Sequence, residues 1–307
     1  MLRTKKRVLF AKIESVYGVA ETLVAADAIR TSGLTIKPFN AQTVERNLDG
    51  AGMGNSGAIH AGASVEVEFD VEASGSGTAG VAPAYGHLFL ACAMSETIVA
   101  DTSVTYEPAS NSTSSETMYF QLDGQRHGLR GARGTWSIRH TSQGIPYFHF
   151  RFVGLWVNPA SATDIVPTFT GWTTPRPVTY EFTPTVSLHA LAAVYRSFTY
   201  DHANQVEYFN NPGEEYVGIT DRKPAGQISL LAPALSSKNY FTTAKGDTTG
   251  VLTVVHGMTA GNIWTFSAPQ TQILAPNYGD DRGRVMIDAN LAMQYATVDD
   301  DMSLAFT

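Results

Sequence analysis

Four carboxylates stand at every second position of one short segment, and they form the densest group of side chains that could do chemistry. Residues 64–72 alternate between the acids Glu66, Glu68, Asp70, Glu72 and the apolar Val65, Val67, Phe69, Val71. A period of two is typical of a β-strand with one buried face, so all four acids share the other face. Glycoside hydrolysis needs two carboxylates opposed across a substrate, whereas these form one continuous negative stripe. A solvated outer face and the wall of an enclosed space both remain open.

The other polar clusters favour structural interpretations. The eight histidines lack the close pairing of a zinc site. His140 and His149 could meet across a hairpin, but histidines on an outward strand face are more often solvated. The segment YGDDRG (278–283) has too few oxygen ligands for a calcium loop and predicts a hairpin turn. The acidic run 299–301 also predicts a solvated turn.

Sequence motifs of catalysis and cofactor binding are missing. No glycine cluster is followed by Gly-Lys-Ser/Thr, and Gly-x-Ser-x-Gly does not occur. The single cysteine, Cys92, lies in an apolar stretch and is expected to be a buried small hydrophobe. We therefore expect no catalytic residue, no cofactor and no metal, and we interpret the protein as a non-enzyme.

Composition points to a surface that is covered by other copies of the chain. Of the 307 residues 43% are hydrophobic and only 16% are charged. The net charge of −7 leaves no basic surplus for gripping phosphates, so the basic start (residues 3–7) is interpreted as a solvated or subunit-bridging arm. No apolar run is long enough to span a membrane or to act as a secretory signal. We expect that the protein does not insert into a membrane. We expect that it assembles in the cytoplasm.

Alternating segments separated by turn residues predict a mainly β fold. Besides residues 64–73, strands are expected at 104–107, 117–122 and 134–138. A last strand of the first half is expected to end at residue 156. Helices are few. Residues 84–94 follow Pro83 with helix-like apolar spacing, residues 235–245 have Ser236 or Ser237 as a cap, and residues 20–29 are a weaker candidate.

The order of these elements occurs twice. Strand 226–232 and helix 235–245 repeat strand 64–73 and helix 84–94, and three strands at 251–255, 263–266 and 283–287 repeat those at 104–107, 117–122 and 134–138. Five prolines in residues 158–185 favour an extended connection. We predict a first unit with an N-terminal arm (1–157), a proline-rich connection (158–185) and a second unit (186–307), each unit with one short helix.

Segments in a fixed succession carry a family resemblance over nearly the whole chain. They are VLFAKIESVYG (8–18), the stretch 22–28, PAYG (83–86), LACA (90–93), DGQRH (123–127), GARGTW (131–136), IPYFHF (145–150), NQVE (204–207), TDRKPAG (220–226), YGD (278–280) and the final strand 298–306. In this order they resemble the tail tube (major tail) proteins of long-tailed, non-contractile bacteriophages.

This resemblance implies a fold, an assembly and a set of partners. Each unit would be a β-sandwich or half-barrel that closes with its neighbours into a ring, and stacked rings would form the hollow tail tube of the virion. The partners implied are further copies of the chain and the tail terminator, tape measure and distal tail proteins. DNA would pass from capsid to host cell without specific binding. Two units per chain predict a ring of three chains with six-fold pseudo-symmetry.

Two candidate sites follow from this expectation. A negative inner wall would repel DNA, so Glu66, Glu68, Asp70 and Glu72 are predicted to line the lumen. The glycine-rich loop at 49–62 buries little on its own and is the candidate contact between rings, through Asp49, Gly50, Gly52, Met53, Asn55 and Gly57.

Two alternatives remain. The tube of a phage-tail-like bacteriocin would need the same subunit. A carbohydrate-binding or carbohydrate-cleaving β-sandwich on the tail surface would need a concave aromatic platform or opposed carboxylates. The four tryptophans, Trp136, Trp156, Trp172 and Trp264, lie mostly in strands or in the connection, where core packing is the default.

Overall fold

The structure is a computed structural model that describes residues 1–50, 53–112 and 114–307. It is mainly β, with 54% strand and 4% helix. The strands of the first half are β1 (Arg7–Ile13), β2 (Ala28–Ile29), β3 (Thr31–Glu45), β4 (Ala58–Glu72), β5 (Met94–Val99), β6 (Ser103–Pro108), β7 (Glu116–Leu122), β8 (Gln125–Thr141), β9 (Tyr147–Trp156) and β10 (Ala160–Ser161). Those of the second half are β11 (Thr185–Leu188), β12 (Leu191–Ala192), β13 (Tyr195–Asp201), β14 (Asn204–Asn211), β15 (Glu214–Arg222), β16 (Ala225–Leu231), β17 (Thr249–His256), β18 (Trp264–Asp281), β19 (Arg284–Gln294) and β20 (Ser303–Phe306).

The helices are shorter than the apolar spacing predicted. Helix α1 is His87–Leu90 and helix α2 is Tyr240–Lys245. Helix α2 starts late because the Asn239 side chain, and not Ser236 or Ser237, accepts hydrogen bonds from the backbone N–H groups of its first turn. Helix α1 ends early because the chain reaches a positive φ of 59° at Ala93 and enters β5. In the weak candidate 20–29 only a 3₁₀ turn (Ala25–Asp27) forms.

Eight antiparallel strands form one continuous sheet that runs through both halves of the chain. Their order is β3–β4–β9–β8–β13–β16–β19–β18. The two halves meet at the β8–β13 pair, where residues 137–141 face residues 197–201. The sheet does not close into a barrel. The predicted β-sandwich or half-barrel class is therefore confirmed.

One face of this sheet carries the hydrophobic core. The apolar residues of β4 that alternate with the acids are at most 1% exposed, and so are Phe148, Phe150 and Phe152 of β9. The core is shared by the two halves: the rings of Trp136 and Tyr200 lie 5.3 Å apart. Cys92 is buried in the same core, as predicted. On the opposite face, Val153 and Leu155 of β9 pack with Val217 of the β14–β15 hairpin, and the rest of that face carries mainly polar side chains.

Strand pairing repeats between the halves. Six pairs of the first half, β1–β7, β3–β4, β4–β9, β7–β8, β8–β9 and β10–β8, have counterparts in the second: β11–β17, β13–β16, β16–β19, β17–β18, β18–β19 and β20–β18. An irregular stretch also ties the halves together, since the Gly77 N–H donates to the Gly261 carbonyl at 2.8 Å. Gly261 has a φ of +82°, and a side chain there would meet the backbone of Gly77, so only glycine fits.

The strand-by-strand matching from the sequence was wrong by one element. Strand β6, which contains residues 104–107, pairs with β5 and β20 and is no counterpart of β17; that counterpart is β7. Residues 134–138 belong to β8, whose counterpart is β18 and not the segment 283–287. The glycines of residues 124–134 are typical of a turn, yet most of them lie inside β8. Gly134 is needed there for packing, because a Cβ would clash with the Arg151 carbonyl.

Candidate functional site

The polar face of the first half carries the acidic stripe, and the neighbouring strands place cations beside it. The strand register sets Lys37 of β3 opposite Glu66, Arg151 of β9 opposite Glu68, and His149 opposite Asp70. Directly opposed and diagonal residues on one face of an antiparallel pair lie close enough for ion pairing. The stripe is therefore embedded in an ion-pair network.

Glu66 is the centre of this network. Its Oε1 lies 2.8 Å from Arg151 Nε and 3.1 Å from Lys37 Nζ. Only 5% of the residue is exposed. The hydrogen bond from Arg151, helped by Lys37 and opposed by burial, lowers the pKa of Glu66 to about 2. Glu66 is thus a buried, paired carboxylate and not a free surface charge.

The remaining acids are held less tightly. Glu68 lies 3.5 Å from Arg151, and Asp70 accepts from His149 Nδ1 at 2.7 Å and lies 3.4 Å from Arg139. Glu72, at the end of the strand, has no ion pair within the described part of the chain. Four carboxylates thus face the permanent cations Lys37, Arg139 and Arg151 together with the titratable His149.

The corresponding face of the second half is nearly neutral. Strand β16, which matches β4, presents Gln227 and Ser229 outward between the buried Ile228 and Leu230. Asp288 is the acid that β19 adds opposite Ser229. The polar face is therefore charged and internally paired in one half and mostly uncharged in the other.

The candidate contact loop forms the tip of a long arm. Strands β3 and β4 continue past the edge of the core, and Asp49, Gly50, Met53, Asn55 and Gly57 are exposed at their tip. Gly52, also predicted here, lies outside the described residues. The loop is shorter than expected, because residues 58–62 belong to β4 and pair with β3.

A second arm, the β14–β15 hairpin, leaves the same end of the eight-stranded sheet. Gly62 of the first arm packs against Asn210 and Tyr208 of the second. We call this the arm end; there β3, β9, β13 and β19 finish and β4 and β16 begin. The opposite end, where the β8–β9 and β18–β19 turns lie, is the turn end. A stacked subunit would have to present one end to the other.

Several polar residues differ from their predicted settings. His140 and His149 do not meet: His140 shares the core side of β8 with Trp136, and burial keeps its pKa well below the usual value. Asp301 is 2% exposed and binds Arg222 at 2.9 Å, so the run 299–301 is not a simple solvated turn. His140 follows the period of two that also buries Trp136 and Ile138, and Asp301 lies in a bend before β20 that packs against Arg222.

The predicted β18–β19 turn and the predicted packing of the tryptophans agree with the structure. Residues 282–283 form the β18–β19 turn. Trp136 and Trp264 are fully buried, and Trp156 and Trp172 pack partly buried against the core. Over the described ranges, no three His, Cys, Asp or Glu residues are grouped to hold a metal ion. Within the same ranges no helix is long and apolar enough to cross a membrane.

An extended antiparallel sheet with a core shared by both halves and a largely self-paired polar face defines a mainly β protein. A family profile described as "Phage tail tube protein" matches residues 4–299, nearly the whole length. The chain belongs to the phage tail tube protein family, so the family resemblance found in the sequence is confirmed. No curated protein sequence matches the chain significantly. Family membership implies a structural, non-enzymatic role in the virion tail.

Proposed function

We propose that three copies of the chain close into a ring and that stacked rings form the tail tube through which DNA passes. The observation that carries this proposal is the β8–β13 junction inside the chain. In the repeated pairing, β18 takes the place of β8 and β3 takes the place of β13. A second junction of the same kind would join β18 of one copy to β3 of the next.

Both edges needed for that junction are free within the part of the chain described. Strand β3 pairs with β4 on one side alone. Strand β18 pairs with β17 only as far as Gln272, so its residues 273–281 present unpaired backbone groups on that side. Unpaired edges on a long sheet are a hazard in a monomer and become joints in a ring.

Ring size follows from the sheet. Strands about 4.8 Å apart and tilted by about 40° give a closed sheet of twenty-four strands a backbone diameter of about 48 Å. Side chains reaching about 6 Å inward would leave a bore of roughly 36 Å. A ring of two chains would leave a bore of only about 20 Å. Three chains form the smallest ring with ample clearance for a DNA duplex, which favours the trimer over larger rings built from more material.

The polar face would line the lumen, with Glu66, Glu68, Asp70 and Glu72 inward. Its cations already face carboxylates, so they gain little by binding phosphates and releasing counterions. A wall with a slight excess of acids would neither hold DNA nor need strong repulsion to keep it moving. The outer loops and arm tips would meet the tail terminator, tape measure and distal tail proteins during assembly in the host cytoplasm.

The ring is tested at the β18 edge. Tyr278 is 62% exposed beside Phe241, with ring centroids 5.1 Å apart, at the proposed junction. Tyr278→Asp should leave a folded monomer that forms no rings, because it places a charge where a neighbouring strand would cover the ring. Tyr180→Asp, fully exposed in the connection, is the matched control. Native mass spectrometry of the wild-type ring should give three chains.

Six chains per ring would contradict the trimer while leaving the tube intact, and rings from Tyr278→Asp would contradict the junction. A persistent monomer of the wild-type chain at high concentration would count against the tube itself. The subunit would form the same tube in a tail-like bacteriocin. The neighbouring genes would distinguish a bacteriocin from a phage. A sugar-binding screen addresses the carbohydrate alternative.

A further inference from the structure

A polar recess of about 470 Å³ opens at the arm end of the sheet, at the base of the β14–β15 hairpin. Residues on its wall and rim include Asn204, Arg222, Val298, Asp299 and Asp301. Three carboxylates and two guanidinium groups line it, since Asp221 and Arg133 also contribute. The recess therefore carries a small negative excess.

Two buried acceptor oxygens in this recess have no hydrogen-bond partner within the described residues: Asn204 Oδ1 and Asp301 Oδ2. Asn204 is 8% exposed and Asp301 2%. Two hydrogen bonds orient the Asn204 amide: its Nδ2 donates to the Cys92 carbonyl at 2.7 Å and to the Gly134 carbonyl at 3.0 Å. Its Oδ1 takes part in neither of them. Asp301 Oδ1 accepts a hydrogen bond from Arg222 at 2.9 Å. Buried acceptors without donors are rare, so the recess lacks a donor group.

The geometry of stacking restricts where that donor comes from. Identical rings that stack head to tail place the arm end of one against the turn end of the next. On the turn end, Arg196 and Arg284 both pair with Asp281. Arg282, at the tip of the β18–β19 turn with a φ of 55°, is exposed and has no ion pair within the described ranges. Its guanidinium offers five donors.

We propose that Arg282 of one copy inserts into this recess on a copy in the adjacent ring and donates to Asn204 Oδ1 and Asp301 Oδ2. The interaction rests on the proposed tube and specifies how one ring recognises the next. Burial raises the pKa of Asp301, and a guanidinium beside the carboxylate would offset that effect. A planar fork of donors fits two separate acceptor oxygens better than a lysine ammonium would.

Paired cysteines test the contact directly. Val298 is 78% exposed at the rim of the recess, and the native Cys92 is fully buried. Tubes of the double variant Val298→Cys/Arg282→Cys, oxidised with diamide, should run on a non-reducing gel as a ladder longer than three chains, because each link joins different rings. Val298→Cys/Lys245→Cys, with the second cysteine on the exposed end of α2, should give no ladder.

Charge reversal tests the energetics. Arg282→Glu should yield folded rings with at least a tenfold loss of sedimentable tubes, while Lys245→Glu, the same change in charge at another exposed site, should assemble normally. Normal tubes from Arg282→Glu, or no ladder from the cysteine pair, would overturn the inference and leave the tube proposal standing. If the wild-type chain formed no tubes, the proposed function would fail and the inference with it.

Discussion

At the scale of single residues, the burial and ion pairing of Glu66 set it apart from the three other acids of its strand. In the sequence it is one of four equivalent acids on a strand face. In the folded chain it is nearly buried and bound to Arg151 and Lys37, whereas Glu68 keeps 38% of its side chain exposed. Removing one partner from a buried pair leaves the other uncompensated, so Glu66 contributes to stability beyond any role in the lumen.

Glu66→Gln should lower the free energy of unfolding by about 1–2 kcal/mol at pH 7, a figure reduced from the full pKa shift because Arg151 and Lys37 are partly solvated. The pKa of Glu66 is lowered from 4.5 to about 2 by folding, so its stabilisation is complete above about pH 4.5 and is lost as the pH falls towards 2. Urea unfolding in the Tyr278→Asp background, at pH 7 and pH 3, measures this.

The difference between Glu66→Gln and its parent should shrink by about half at pH 3. Glu68→Gln is the matched control and should cost less than about 0.5 kcal/mol, since its carboxylate is more exposed. If Glu66→Gln lowered the free energy of unfolding equally at both pH values, the carboxylate charge would not be what stabilises the folded chain.

The sequence predicts which face of its strand each side chain lies on. It does not predict which residues form ion pairs with the acids. A period of two assigns Val65 and Glu66 to opposite faces without knowledge of any other strand. The pairing of Glu66 with Arg151 depends on a register between residues 85 positions apart. Asp301 is likewise buried and paired with Arg222, which lies 79 positions away in the sequence.

At the scale of elements, the β3–β4 arm is the part of the first half with the least support from its own chain. Its described tip residues are exposed, and Met53 contributes no burial. Long loops without packing of their own are usually functional. The exposed arm tip is consistent with the prediction that it makes contacts between rings.

Deleting residues 50–57 should leave a folded subunit that polymerises poorly. Residues 46–49 would then connect β3 to β4 as a four-residue hairpin loop, a common length. Thermal unfolding should shift by only about 2 °C, while sedimentable tubes fall severalfold. Replacing the same residues by a Gly/Ser repeat of equal length separates the effect of sequence from that of length. Normal tube formation by the deletion would remove the arm from the interface.

The type of the main elements could be predicted from the sequence, but their full number, their boundaries and their matching could not. Alternation identified the strands, and the doubled order of elements is matched by six repeated strand pairs. The helices shrank because tertiary packing and the Asn239 cap outweigh apolar spacing. The halves were misaligned by one strand because β8 continues through glycines that are typical of turns.

At the scale of the whole molecule, the charge of the proposed lumen can be tested through DNA movement. Glu68→Lys/Glu72→Lys should assemble but slow or stall DNA release from particles, because Arg151 loses a partner and the new lysines are free to bind phosphates. Glu66 is left unchanged, since a lysine there would be buried against Arg151 and threaten folding.

Glu68→Gln/Glu72→Gln separates the gain of positive charge from the loss of negative charge, and it should eject DNA at nearly the wild-type rate. Release would be followed as the fluorescence of a DNA dye after triggering particles in vitro. Unchanged release from the lysine variant, or a tube structure with these side chains on the outer surface, would remove the stripe from the lumen.

The β8–β13 junction within one chain also has a consequence for heredity. In a ring of six identical subunits, any inherited substitution appears at all six positions at once. In a ring of three duplicated chains it appears at three, and the alternate positions keep the older residue. The two halves of the gene can therefore diverge, which is consistent with a charged polar face in one half and a nearly neutral one in the other. A change too severe for six positions becomes tolerable in three.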